Sequence, residues 1–204
     1  MNRKILAMRL LAAPLLAFAA SASALAFTPD AVPRKPAAAH AAAAVPAGDE
    51  AWTALGKSAW IAEGNPKARR IVYVFTDTEC KYCRQLWLGM QPYLVKGKLQ
   101  SRHVMVAVIA KDSAGRGAAV MDAANPSIAL KDNENSKSPR LAPELAIPRS
   151  TLKDFDDNAQ LMHRLGAEGT PTMVYQDDAG KTTVVQGVPP ADVLDKIFGP
   201  SAAR

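Results

Sequence analysis

Arg70-Ile71-Val72-Tyr73-Val74-Phe75-Thr76 runs through Asp77-Thr78-Glu79 into Cys80-Lys81-Tyr82-Cys83-Arg84-Gln85-Leu86-Trp87-Leu88. The first segment is a continuous apolar, β-branched and aromatic run, the pattern of a strand buried on both faces. The last segment reads as helix. The only two cysteines of the chain thus stand three positions apart at a strand-to-helix junction. A Cys-x-x-Cys pair in that setting is a redox motif. The start of a helix offers unpaired backbone N–H groups and the positive end of the macrodipole. Both favour the thiolate, the reactive form of cysteine. This predicts Cys80 as the attacking sulfur at the helix start and Cys83, one turn further on, as the sulfur that resolves the mixed disulfide.

Other uses of the pair fit less well. Closing so short a loop with a structural disulfide stabilises by only about 2 kcal/mol in the chain-entropy treatment. Structural zinc needs four Cys or His ligands, and the three histidines, His40, His103 and His163, are scattered. Haem attachment requires His after the second Cys, where the chain has Arg84. No metal site and no dissociable cofactor is expected.

Residues 1–26 have the form of a secretory signal: Arg3, Lys4 and Arg9, then apolar Leu10 to Ala20, then Ala24-Leu25-Ala26 as a small-x-small cleavage site, with Ala22-Ser23-Ala24 as a second. The apolar run is short for a membrane-spanning helix. Export to a disulfide-permissive compartment such as the periplasm follows. The signal holds three of the 25 basic residues and none of the 19 acids, so the remainder carries +3 rather than +6. So mild a charge, without a basic stripe and interleaved aromatics, does not point to nucleic acid. Residues 27–48 are rich in Ala and Pro and read as a flexible tether containing His40. The rest is long enough for one domain with a true core.

Within that domain, Asp49 to Glu63 is expected to be helical, with Trp52, Leu55, Ala59 and Trp60 on one face and Gly64-Asn65-Pro66 as its stop. The cysteine helix runs to about Lys96, with a kink or break at Pro92 and its end at Gly97. Ser101 to Ala110 is a second buried strand, parallel to the first. Residues 113–165 carry helical signals only: one helix around Ala118 to Met121, another over Ser127 to Asp132, a Pro-punctuated loop from Asn133 to Arg149, and a helix from Ser150, its expected cap, to Leu165. Thr172–Gln176 and Thr182–Gln186 are strands around a turn at Asp177-Asp178-Ala179-Gly180, and Ala191–Phe198 is a closing helix. The order is β-α-β, an inserted helical block, then β-β-α. That is the thioredoxin-like arrangement, an α/β fold, here with a helical insertion between its halves.

The stretches Val72 to Asp77, Cys80 to Trp87, Leu165-Gly166-Ala167 and Thr170-Pro171 resemble the periplasmic DsbC/DsbG thiol:disulfide interchange proteins, with Tyr82 and Trp87 giving the flank of the DsbG branch. Ala51-Trp52 through Ser58-Ala59-Trp60 resembles the linker helix of that family, so residues 49–66 are read as linker helix and 67–204 as catalytic domain. The resemblance implies a cis peptide bond before Pro171, facing the cysteines. Thr170 and Pro171 would present backbone to an extended substrate, and Lys81 and Tyr82 complete the expected substrate-binding set. Lys81 would also favour the thiolate and Glu79 oppose it.

It implies a disulfide isomerase or reductase, with single cysteines oxidised to sulfenic acid as a further substrate. It implies exported cysteine-containing proteins as clients and a DsbD-like membrane thiol reductase as electron source. Family members carry an N-terminal dimerisation domain for which residues 27–48 leave no room, so a monomer is expected. Two alternatives stay open at this point: a net dithiol oxidase, and a holdase-type chaperone with incidental thiols.

Overall fold

The computed structural model describes residues 45–135 and 141–199. The expected signal, most of the tether and residues 136–140 of the Pro-punctuated loop lie outside them. The described elements follow in the order β1 (Val45–Ala47), α1 (Asp49–Lys57), β2 (Trp60–Gly64), β3 (Arg70–Thr76), α2 (Lys81–Val95), β4 (Leu99–Met105), α3 (Ser113–Met121), α4 (Pro126–Glu134), α5 (Arg149–Arg164), β5 (Thr172–Gln176), β6 (Thr182–Gln186) and α6 (Ala191–Phe198). The strands form one sheet in the order β1-β6-β5-β3-β4-β2. β3 pairs in parallel with β4, and every other pairing is antiparallel.

The continuous apolar run of β3 is explained by burial on both sides. Tyr73 and Phe75 point to one face, where they pack with Leu161 and Met162 of α5, with Leu165 just past its end and with Leu55 of α1. Val72 and Val74 point to the other, against Leu86, Met90 and Leu94 of α2 and Leu194, Ile197 and Phe198 of α6. The inserted helices make a third cluster, in which Ala118, Val120, Leu130 and Phe155 close over Ile61 and Met105. Asn158 of α5 fastens this layer to the sheet by donating to the carbonyls of Ala59 and Met105 at 2.9 and 2.8 Å.

Five expectations are corrected. The helix expected over Asp49 to Glu63 ends at Lys57, and Trp60–Gly64 is instead an edge strand antiparallel to β4. The apolar spacing misleads because Trp60 packs from a strand: the Arg102 guanidinium of β4 lies 4.6 Å from its ring centre. The expected tether is too long by its last residues, since Val45–Ala47 extends the sheet by pairing with the otherwise open edge of β6. Pro92 does not break α2, which runs to Val95; Leu88 and Pro92 both face solvent, where water can take the carbonyl that a proline leaves without a donor. Ser150 is not the cap of α5, which is preceded by Pro148 without a side-chain cap.

β4 also ends earlier than its apolar run suggests, at Met105, because the next backbone groups go elsewhere. Val108 and Ile109 donate their N–H groups to Oδ2 of Asp77 at 2.8 and 3.0 Å. Oδ1 of the same carboxyl accepts from Ser113 Oγ and from the N–H of Glu79, both at 2.8 Å. Asp77 is 0% exposed and joins the loop that carries Cys80 to the start of α3. Asp77→Ala would leave the buried Ser113 hydroxyl and three part-buried N–H groups without their acceptor, and an unmet buried donor costs about 1–3 kcal/mol. A loss of at least about 3 kcal/mol in urea unfolding is expected, with a smaller loss for Asp77→Asn.

Candidate active site

Cys80 is the N-cap of α2, with extended backbone, and its side chain does the work of a capping oxygen: Sγ accepts the N–H of Cys83 at 3.1 Å. An N-cap group satisfies one of the helix's orphan donors. Here that group is a sulfur, and negative charge on it strengthens the cap. As a thiol, Cys80 Sγ donates to the Thr170 carbonyl at 3.4 Å. The Thr170–Pro171 peptide is cis, so the loop before β5 meets the start of α2 and the structure brings Cys80, Cys83 and Thr170 together.

The two sulfurs differ in environment. Cys80 is 7% and Cys83 3% exposed, and the structure holds both as free thiols. The Cys80 thiol is lowered to about 6. The hydrogen bond from the Cys83 thiol is the largest cause. Burial opposes it, and Thr170 and the N–H groups of Cys83 and Tyr82 add to the lowering. Thr170 Oγ1 is buried without a regular hydrogen bond, which leaves its hydroxyl able to turn to a thiolate. Cys83 is pushed far up, first by burial and then by its bond to Cys80 and the charge there. The pair therefore divides into a poised thiolate and a retained thiol, the division that attack and resolution require.

Lys81 and Tyr82 are exposed. The Lys81 ammonium sits 4.9 Å over the Tyr82 ring, a cation–π contact. The main cause of Cys80's acidity is the Cys83 thiol, followed by Thr170 and then the N–H groups of the helix start. Glu79 is engaged by Arg116 of α3.

A buried polar layer beneath the site escaped sequence reasoning. His103 is paired: Nε2 is 2.9 Å from Glu63 Oε2 and 3.0 Å from Ser101 Oγ, and Trp87 Nε1 donates to the same carboxylate at 2.8 Å. Burial raises Glu63, but the His103 bond and charge and the Trp87 bond outweigh it and hold the acid below its ordinary value. One turn earlier on the same face of α2 as Trp87, Arg84 donates to the Asn133 carbonyl at 3.0 Å, and Asn133 Nδ2 reaches both the Thr78 carbonyl and Glu134 at 3.3 Å. Nothing in the run Lys131-Asp132-Asn133-Glu134-Asn135 marks it as buried; by composition it is a solvated helix end. Among the described residues no group of three or more His, Cys, Asp or Glu side chains could hold a metal ion, and no helix is long and apolar enough to cross a membrane.

The thioredoxin-like domain family matches residues 60–200. The thiol:disulfide interchange protein DsbG of Pseudomonas aeruginosa is 38% identical over 156 residues, 76% of this chain and 61% of that protein. DsbG of Escherichia coli is 33% identical over 155 residues, 76% and 62% of the two chains. The chain thus spans about three fifths of the length of these curated relatives. A periplasmic thioredoxin-like protein from Salmonella enterica serovar Typhimurium shares the fold, with a TM-score of 0.62 at 17% identity over 76% of this chain and 97% of that one.

The acidity of Cys80 sets a measurable profile. Alkylation of Cys80 by iodoacetamide should hold level above about pH 7 and fall about tenfold per unit below about pH 6, as the thiolate is lost. Cys83 should stay unmodified over the same range. A midpoint near that of an ordinary cysteine would contradict the arrangement.

Proposed function

The chain belongs to the thioredoxin-like domain family, and on that footing we propose that it is an exported thiol:disulfide oxidoreductase working as a DsbG-like isomerase or reductase. One observation carries this reading: the Cys80 sulfur caps α2 and is acidic, while the Cys83 thiol beside it keeps its proton. Cys80 thiolate attacks one sulfur of a client disulfide, and the other client sulfur leaves as thiolate. Cys83 then gives up its proton and attacks Cys80, releasing the second client thiol and closing the Cys80–Cys83 disulfide.

Thr170 and Pro171 hold client backbone beside the sulfurs, with the Thr170 carbonyl already at hydrogen-bond distance from Cys80. Lys81 and Tyr82 line the approach. Tyr82, Val108 and Ile109 are about half exposed, and the last two are held against the Cys80 loop by Asp77. Apolar side chains around a reactive sulfur suit extended, incompletely folded clients. By the likeness to DsbG, single cysteines oxidised to sulfenic acid are substrates too. In this reading the mature chain is a periplasmic monomer released by cleavage of residues 1–26, and a DsbD-like membrane thiol reductase returns it to the dithiol.

Trapping tests it. Cys83→Ala should accumulate mixed disulfides between Cys80 and exported proteins, recoverable by diagonal gel electrophoresis. Cys80→Ala should abolish turnover of a model disulfide substrate, by at least about a thousandfold, since no second nucleophile stands at the helix start. Unchanged function in Cys80→Ala would instead favour a chaperone with incidental thiols.

A further inference from the structure

A dithiol whose attacking sulfur is already a thiolate is one proton short. Reducing a client disulfide to two thiols takes two electrons and two protons. Cys80 and Cys83 supply both electrons, but only Cys83 still carries a proton to give. Glu134 stands where a second could be held. It is the last residue of α4 and is 3% exposed. The negative end of a helix dipole disfavours a carboxylate there, and burial does so again. Its Oε1 accepts from the Asn133 side-chain amide, which also donates to the Thr78 carbonyl two residues before Cys80.

The charged groups around it offer little relief. Arg84 of α2 commits Nη2 to the Asn133 carbonyl, although its charge does favour the carboxylate. Glu63 of β2, itself held by His103 and Trp87, adds a like charge, as does Cys80. Lys131 of the same helix acts on Glu63, and on α3 Arg116 is engaged by Glu79 and Asp112. Burial is the largest cause in raising the Glu134 carboxyl to about 7.

We propose that Glu134 is a redox-linked proton carrier, protonated while Cys80 is a thiolate and deprotonated once that sulfur enters a disulfide. The balance is Cys80–S⁻, Cys83–SH and Glu134–COOH with a client disulfide, giving the Cys80–Cys83 disulfide, Glu134–COO⁻ and two client thiols. The electrons move from the two protein sulfurs to the two client sulfurs, and the protons come from Cys83 and Glu134. Re-reduction by a dithiol donor returns both. The inference rests on the oxidoreductase reading for its purpose, while the electrostatic link between Glu134 and Cys80 exists without any client.

Carbon-13 NMR of the glutamate carboxyl tests that link in the intact reduced protein. Glu134 should titrate near 7 in the reduced protein and measurably lower in reduced Cys80→Ser and in the disulfide form, where the Cys80 charge is gone. A second measurement follows proton balance at about pH 6.5, between the two titrations, during oxidation by oxidised glutathione in unbuffered solution. The unmodified protein should draw close to no protons from water, and Glu134→Gln roughly one per site. Identical Glu134 titrations in the unmodified and Cys80→Ser proteins would overturn the proposal, as would equal proton uptake with and without Glu134. Absence of trapped clients with Cys83→Ala, with the Glu134 shift intact, would instead fault the oxidoreductase reading.

Discussion

Everything at the site depends on how the chain leaves β3. A buried carboxyl at Asp77 gathers four donors, two from its own loop and the start of α3, two from the backbone just past β4. Four hydrogen bonds to one fully buried group fix the β3–α2 loop against the β4–α3 loop. The Cys80 N–H, bonded to the Asp77 carbonyl at 3.0 Å, is held by the same residue. Cys80 is thereby set as the cap of α2, and the cap geometry gives its sulfur the Cys83 N–H. The acidity of the Cys80 thiol therefore depends on loop architecture as well as on the Cys83 thiol beside it.

The site also keeps its charges apart by geometry. Glu63 is ionised by a partner, His103, and a second donor, Trp87. Glu134 lies at a helix end without an equivalent partner, and its acid strength moves the other way. Two buried glutamates near one thiolate thus reach opposite protonation tendencies, through the hydrogen bonds each finds and the helix end at which one of them sits. Two thiols separated by one helical turn diverge for the same kind of reason: the first accepts from the Cys83 thiol and also from N–H donors at the helix start, and the second is buried against the first.

Much of the fold was readable because its signals are local. The apolar run of β3, the Asp177 to Gly180 turn between two short strands, and the Pro-led closing helix each carry their own periodicity or turn chemistry, and β5, β6 and α6 have the bounds expected of them. Trp60–Gly64 misread as helix because an edge strand packed on one face can mimic helical spacing over a few residues, and only its pairing with β4 decides between them. Val45–Ala47 misread as tether because nothing in Val-Pro-Ala announces a strand; the open edge of β6 supplies the partner.

The sequence by itself determined where the two sulfurs would sit: two cysteines at helix spacing after a buried strand, and a Thr-Pro before another strand, are local patterns that do not depend on the detail of packing. Only the tertiary structure decided which groups tune the chemistry of those sulfurs. Asp77, Glu63, His103, Asn133 and Glu134 are common polar residues, and their roles come from what burial places beside them. A carboxyl in a polar run has ordinary acidity until the fold removes its water, and that removal depends on contacts between residues far apart in the chain.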